Sequence, residues 1–309
     1  MSVENKIYAP IIIPTLNRYE HLKACVNSLA ECSGSKETEL YISVDYPPDE
    51  KYFEGHTKVV EYVKSGIVGF RNVNIYIQEK NLGAGGNLNF LRNEAFSKYD
   101  RVIFTEDDNV FSPCFLEYIN KGLEKYKNNN EIFGICGYNY PISMPKSYCD
   151  KYNYYFAKEY SAWGVGYLKE RFIEANKGMS VEYVKENTNR LWNHLNWNLK
   201  RIIIDSINKN KLFGDLNRTL YLIDSNKYCV FPTENLVVNK GHDGSGVNCG
   251  NSKNDKFSKQ HQSREMHFDF QGDVPLCENR QIRKELNKYF DIPFKSRIKV
   301  LIESCLYRR

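Results

Sequence analysis

Glu106, Asp107 and Asp108 stand in a row behind a short apolar run, in VIFTEDDN. Three adjacent carboxylates repel one another and make a poor core. Two arrangements relieve the repulsion. One is a solvated turn at a strand end. The other is a hard divalent cation held on carboxylate oxygens, with a diphosphate supplying the remaining ligands. Other stretches offer compatible chemistry. Asp45 closes ELYISVD just before Pro47-Pro48 and reads as a turn residue or a ligand-binding acid. Gly83, Gly85 and Gly86 precede Asn87 in NLGAGGN, which reads as a glycine loop leading into a helix. That loop lacks a Gly-Lys-Ser/Thr ending, which excludes a P-loop ATPase. Gly241 to Gly246, with His242, Asp243 and Ser245, is dense in glycine and polar groups. Such a stretch is a flexible tight loop, or a set of backbone N–H groups turned toward phosphate. In EYSAWGVGYL, Trp163 is a core residue or a pocket wall, and Gly164 allows a close backbone approach.

These residues need elements that bring them together. Ile7 to Thr15 reads as a buried strand, followed by a helix from about Arg18 to Cys32 that Asn17 can cap. Strands are predicted at Glu39–Asp45, Asn72–Gln78, Arg101–Thr105 and near Ile132–Cys136. Helices are predicted near Thr57–Lys64, Asn87–Lys98 and Pro113–Lys127. The alternation predicts a mainly parallel sheet with helices on both faces. In such sheets ligands bind beyond the carboxyl ends of the strands. Thr15, Asp45, the glycine loop and the acidic triplet all fall at predicted strand ends and so form one candidate site. Farther on, Tyr138 to Phe172 is irregular and aromatic, helical segments are expected within Val181–Ile207, and a strand at Tyr228–Phe231 precedes Pro232.

Composition narrows the function classes. The chain has 309 residues, 41% hydrophobic and 26% charged, and a formal charge of +5. That charge is too mild to argue for nucleic acid, and there is no basic-aromatic ladder. No apolar run reaches the roughly 18 residues of a membrane span. The start, MSVENKIYAPIII, lacks signal-peptide features, so a cytoplasmic location is expected. The nine cysteines contain no CxxC pair, which argues for free thiols rather than a structural zinc site.

The motifs IIIPTLNR, YISVDYPPD, NLGAGGNLNFLRNEAF, VIFTEDDNVFSPCFLEYI, AWGVGYLKERF and FPTENLVVNKGHDGSG, in this order, carry a resemblance. Over roughly residues 7–250 the chain resembles nucleotide-sugar glycosyltransferases of the GT-A fold. It is similar to the bacterial family 2 enzymes and to N-acetylglucosaminyltransferase I. The resemblance implies a metal-dependent transfer from a nucleotide diphosphate donor, with UDP-sugar expected. Pro14, Thr15, Asn17 and Arg18 would lie under the nucleobase and ribose. Asp45 would accept from uracil N3-H, and Gly86 and Asn87 would touch the nucleotide. The triplet matches the family's DxD motif in its EDD form. Asp108 would then ligate Mn²⁺ or Mg²⁺, while Glu106 and Asp107 would face the donor's sugars. Ser245 and Gly246 belong to the segment that closes over the diphosphate, and His242 would complete the metal shell. Trp163 and Gly164 would face donor sugar and acceptor. Asp215, upstream of Pro232, matches the general base of an inverting transfer, although Gly214 replaces the tryptophan usual before it. Glu159 and Asp224 are fallback bases. Arg218, one helical turn beyond Asp215, would steady it or grip an acceptor phosphate.

The tail FKSRIKVLIESCLYRR spaces Phe294, Ile298, Leu301, Ile302, Cys305 and Leu306 along one helical face among basic residues. It is either a helix packed on the domain or a basic amphipathic helix suited to an anionic membrane surface. The expectation is therefore a single GT-A-like α/β domain over 1–275 and a basic helical tail over 276–309. The implied partners are a nucleotide-sugar donor and a glycan or lipid-linked glycan acceptor. The setting would be bacterial surface-polysaccharide synthesis, at the inner face of the plasma membrane. A sugar-phosphate nucleotidyltransferase and a non-catalytic nucleotide-sugar-binding relative are the alternatives. The former would carry a glycine-rich basic loop after the first strand, and PTLNRYEHL has no glycine there.

Overall fold

A computed structural model describes residues 8–177, 179–212, 214–244 and 261–307. The first half alternates as expected. Strand β1 (Ile11–Thr15) leads to helix α1 (Tyr19–Ala30), β2 (Glu39–Val44), α2 (Phe53–Lys64), β3 (Asn72–Ile77), α3 (Gly83–Lys98) and β4 (Arg101–Phe104). The strands form because β-branched and aromatic residues run where both faces are covered, so burial is nearly continuous rather than alternating. Helix α1 buries Leu22, Cys25, Val26 and Leu29, one stripe at helical spacing.

Beyond β4 come the short β5 (Asn109–Phe111), α4 (Phe115–Lys125), β6 (Ile132–Cys136), α5 (Lys146–Cys149), β7 (Tyr154–Ala157) and β8 (Val165–Leu168). Helices α6 (Lys169–Asn176), α7 (Val181–Glu186), α8 (Thr188–Trp192), α9 (Trp197–Asn208) and α10 (Gly214–Asp224) follow. The described chain ends with β9 (Tyr228–Pro232), β10 (Val237–Asn239), α11 (Arg280–Tyr289) and α12 (Phe294–Ser304).

Eight strands form one sheet in the order β3-β2-β1-β4-β8-β6-β9-β7. The pairs β1–β2, β2–β3, β1–β4 and β6–β9 are parallel; β4–β8, β6–β8 and β7–β9 are antiparallel. The expected parallel half is present. The aromatic stretch supplies two strands that the sequence pattern did not reveal. One of them, β8, wedges between β4 and β6. The wedge brings Trp163, just before β8, to the carboxyl end of β4, where the acids lie. A second, two-stranded sheet pairs β5 with β10 antiparallel, Asn109 opposite Asn239.

Three hydrophobic clusters hold the fold. The largest spans both faces of the sheet and takes in Ile282 and Leu286 of α11. A second lies among α7 to α10 and contains Leu191, Leu199, Ile203, Leu216 and Leu220. It anchors α10, whose first turn carries Asp215. The third joins Trp192, Ile204, Ile292 and Val300, and so docks α12 on α9.

Two boundaries differ from expectation. Helix α3 begins at Gly83, so the predicted glycine loop is its first turn. Arg18, not Asn17, is the N-cap residue of α1, and no side chain caps it. The Arg18 side chain is drawn away to the acids.

Candidate functional site

The acidic triplet follows β4 and opens toward the ends of β1 and β10. Asp107 and Asp108 are both buried. Thr15, the last residue of β1, donates its hydroxyl to Asp107 Oδ2 at 2.7 Å. Arg18 forks across both acids: Nη1 donates to Asp108 Oδ2 at 2.7 Å and Nη2 to Asp107 Oδ1. Burial alone would lower the Arg18 pKa, but the two carboxylates more than offset this and hold it above its ordinary value. Burial raises the Asp107 pKa despite Arg18 and Thr15. Asn239 donates to Asp108 Oδ1 at 2.7 Å, and Lys240 N–H to the Asp108 carbonyl at 2.8 Å. Gly241 covers the pair closely: a Cβ there would lie 2.1 Å from Asp108 Oδ2 and 3.2 Å from Arg18 Nη1. Only glycine fits so near the carboxylate.

Glu106 behaves differently. Trp163 Nε1 donates to Glu106 Oε2 at 3.0 Å. Desolvation, then the charges of Asp108, Asp215 and Asp107, push its carboxyl up to about 8. That Asp215 influences Glu106 puts the two ends of the candidate site within electrostatic reach. Asp215 is itself exposed, yet desolvation pushes its carboxyl up to about 6 and Arg218 only partly opposes this.

Other expected site residues have structural duties. Asn87 is 1% exposed. It donates to the Ser43 carbonyl at 3.0 Å and accepts from the Ser43 hydroxyl, tying α3 to β2 rather than facing a cleft. Asn87 thereby supports the strand ends beside the acids. Asp45 accepts Leu82 N–H at 2.8 Å and Tyr46 N–H at 3.0 Å on Oδ1, and Asn81 Nδ2 at 3.3 Å on Oδ2. It organises the entry to α3. Gly86 lies in the first turns of α3. Gly164 has φ +71°, and a Cβ there would strike Phe115 and Phe111. Core packing by itself therefore requires a glycine here. Trp163 packs edge-on against Tyr138, ring centroids 4.6 Å apart, and against His242 at 5.7 Å. Pro14 and Asn17 flank Thr15 at the mouth of β1. Ser245 and Gly246 lie outside the described residues.

The fallback bases lie elsewhere. Glu159 is buried and paired with Arg283 at 2.8 Å. Asp224, at the far end of α10, accepts from Tyr183 at 2.8 Å and pairs with Arg190. Neither joins the triplet. Arg218 stacks on Phe172, 4.6 Å from the ring centroid, and donates to Asn176. Arg92, on the same ring at 4.0 Å, and Asn239 were not anticipated from sequence. Asn239 could have been suspected from its place two residues before Gly241; Arg92 carried no signal beyond an ordinary helix position.

The protein groups fit a cation held jointly with a ligand. The oxygens are hard carboxylate donors, and Asp107 and Asp108 together outnumber the single Arg18 charge set between them. Among the described residues no group of three or more His, Cys, Asp or Glu could hold a metal by itself.

A mostly parallel sheet with an acidic turn beyond β4 defines an α/β fold of the GT-A kind. Residues 11–162 match the model described as Glycosyl transferase family 2, so this part of the chain carries a glycosyltransferase family 2 domain. No curated protein matches the chain. Among solved structures, it is similar to residues 1–349 of S. aureus TarS, at 14% identity and TM-score 0.40, over 74% of this chain and 59% of that one. The same TarS segment in complex with UDP-GlcNAc matches at 14% identity and TM-score 0.39, over 74% and 57%. The mannosyltransferase PcManGT from Pyrobaculum calidifontis, in complex with GDP-Man and Mn²⁺, matches at 11% identity and TM-score 0.37, over 55% and 46%. The chain thus spans under two thirds of each of these structures, and likenesses this distant carry no argument about its substrate.

Proposed function

We propose that this chain transfers a sugar from a nucleotide diphosphate donor, most simply a UDP-sugar, to a hydroxyl of a glycan or lipid-linked glycan. Residues 1–275 would act as the catalytic domain and 276–309 as a helical tail. The observation that carries the reading is the convergence of Thr15 and Arg18 on Asp107 and Asp108, beside Glu106, at the carboxyl ends of β1 and β4. Asp108 would hold Mn²⁺ or Mg²⁺ together with the diphosphate, and His242, packed on Trp163, stands close enough to the same wall to assist. A bound divalent cation offsets the charge that builds on the leaving diphosphate.

The chain's own groups divide the remaining work. Asp215 takes the proton from the acceptor hydroxyl as that oxygen attacks the anomeric carbon, which gives inversion. Its raised pKa keeps it basic enough for this task near neutral pH. Glu106, fixed by Trp163, faces the donor's sugar hydroxyls. Thr15 and Asn239 hold Asp107 and Asp108 in place, so the two acids themselves need not reorient on binding.

The tail supports a lipid-linked acceptor in surface-polysaccharide synthesis. Val300 and Ser304 of α12 face the protein, whereas Phe294, Ile298, Leu301, Ile302 and Leu306 are exposed, Phe294 by 73% and Ile302 by 67%. Lys295 and Lys299 lie on the same helix, as anionic headgroups would require. Among the described residues no helix is long and apolar enough to cross a membrane.

Titrating the full chain with UDP-, GDP- and CDP-sugars, with and without Mn²⁺, tests the reading. Metal-dependent binding of one class supports it, and binding of none of the three overturns it.

A further inference from the structure

The acidic end of β4 already carries a cation, the Arg18 guanidinium. One of its nitrogens lies on Asp108 Oδ2 and another on Asp107 Oδ1. The pair is shielded: the side chains of Asp107 and Asp108 are 6% and 5% exposed, and that of Arg18 is 20% exposed. A divalent ion arriving alone would have to displace a guanidinium bound to two carboxylates. Above the pair, the backbone of Gly241 leaves no room for a Cβ. Below it, Asn239 occupies the second oxygen of Asp108. The described protein groups are too few to complete a coordination shell.

A diphosphate removes both obstacles. It supplies oxygen ligands for the ion, and it offers a new anion to a long, flexible arginine side chain that forks well onto phosphate. We propose that Arg18 is an exchangeable counter-ion: it bars the divalent ion from Asp108 until the donor's diphosphate arrives, then moves from the two aspartates onto that diphosphate. The inference rests on the metal-dependent donor reading above. It makes ion and nucleotide binding cooperative, and the coupling is reciprocal. Arg18 acts here as a positioning residue.

Free Mn²⁺, followed by its paramagnetic resonance signal, reports binding to the full chain with and without UDP. The wild type should bind Mn²⁺ weakly alone and much more tightly with UDP. Arg18→Met keeps length and removes charge. It should bind Mn²⁺ alone at least about tenfold more tightly than wild type, and bind UDP alone more weakly. The Mn²⁺ gain from UDP should shrink by about the same factor. In metal-free buffer Arg18→Met should melt lower, and Mn²⁺ alone should recover the loss. Arg18→Lys, which cannot fork, should lie between the two. If Arg18→Met folds poorly, Arg18→Lys carries the comparison.

Equal Mn²⁺ affinity in wild type and variant, with UDP still strengthening both, overturns the exchange and leaves the metal-dependent function intact. Absence of Mn²⁺ binding in every protein, with UDP bound normally, overturns the exchange and the metal dependence together.

Discussion

The side-chain amide of Asn239 donates to Oδ1 of Asp108 at 2.7 Å, joining residues 131 positions apart. The same amide reaches Asn109 Oδ1 at 2.9 Å, and the Asn239 oxygen accepts Gly241 N–H at 2.9 Å. One residue therefore aims the acid, fixes the β5–β10 pairing and shapes the turn above the site. Removing it leaves buried acceptors unsatisfied, a loss of about 1–3 kcal/mol.

Asn239→Ala should accordingly lower the melting temperature by several degrees and weaken UDP binding in the presence of Mn²⁺ by about tenfold. Calorimetric titration and thermal unfolding read the two effects. Unchanged donor affinity in a destabilised Asn239→Ala protein would limit the residue to a structural part.

As the proposed base, Asp215 should govern the pH dependence. Desolvation raises its folded pKa to about 6, so it would hold its proton to higher pH than an ordinary aspartate and lose base function as pH falls through that value. Transfer rates under donor saturation should rise with pH through a limb between the ordinary carboxylate range and about 6. Asp215→Asn should cut the rate by about 10²–10⁴-fold and leave donor affinity little changed. A variant as fast as wild type would remove Asp215 as the base.

The exposed stripe of α12 predicts attachment to lipid. Sedimentation with vesicles rich in anionic lipid should carry the wild type down, less so at high salt. Replacing Ile298 and Ile302 with Glu should release it without altering the melting temperature, since both side chains already face outward. Equal sedimentation with neutral and anionic vesicles would contradict the charge argument.

The parallel half of the fold was legible because β1 to β4 are apolar runs separated by amphipathic helices, and such local periodicity needs no tertiary knowledge. The acidic triplet was legible because like charges side by side call for an explanation. The remainder depends on distant pairing. Strand β8 is four residues long and hides in an aromatic stretch, so nothing local predicts that it parts β4 from β6. Asn87 follows glycines and looks available to a ligand, but its neighbours across the sheet claim its amide. The resemblance puts Arg18 under the nucleobase and ribose; its pairing with Asp107 and Asp108 emerges only when β1 and β4 lie side by side. For α12, periodicity identified the apolar face, and the packing of Val300 on α9 decided which side faces out.

The central claim is that Asp108 holds a divalent ion jointly with the donor's diphosphate. Calorimetric titration of UDP into wild type and Asp108→Ala, each with and without Mn²⁺, tests it most directly. The account predicts that Mn²⁺ strengthens UDP binding to the wild type by tenfold or more and has no effect on Asp108→Ala. UDP binding that ignores Mn²⁺ in the wild type, or a metal effect that survives in Asp108→Ala, would contradict it.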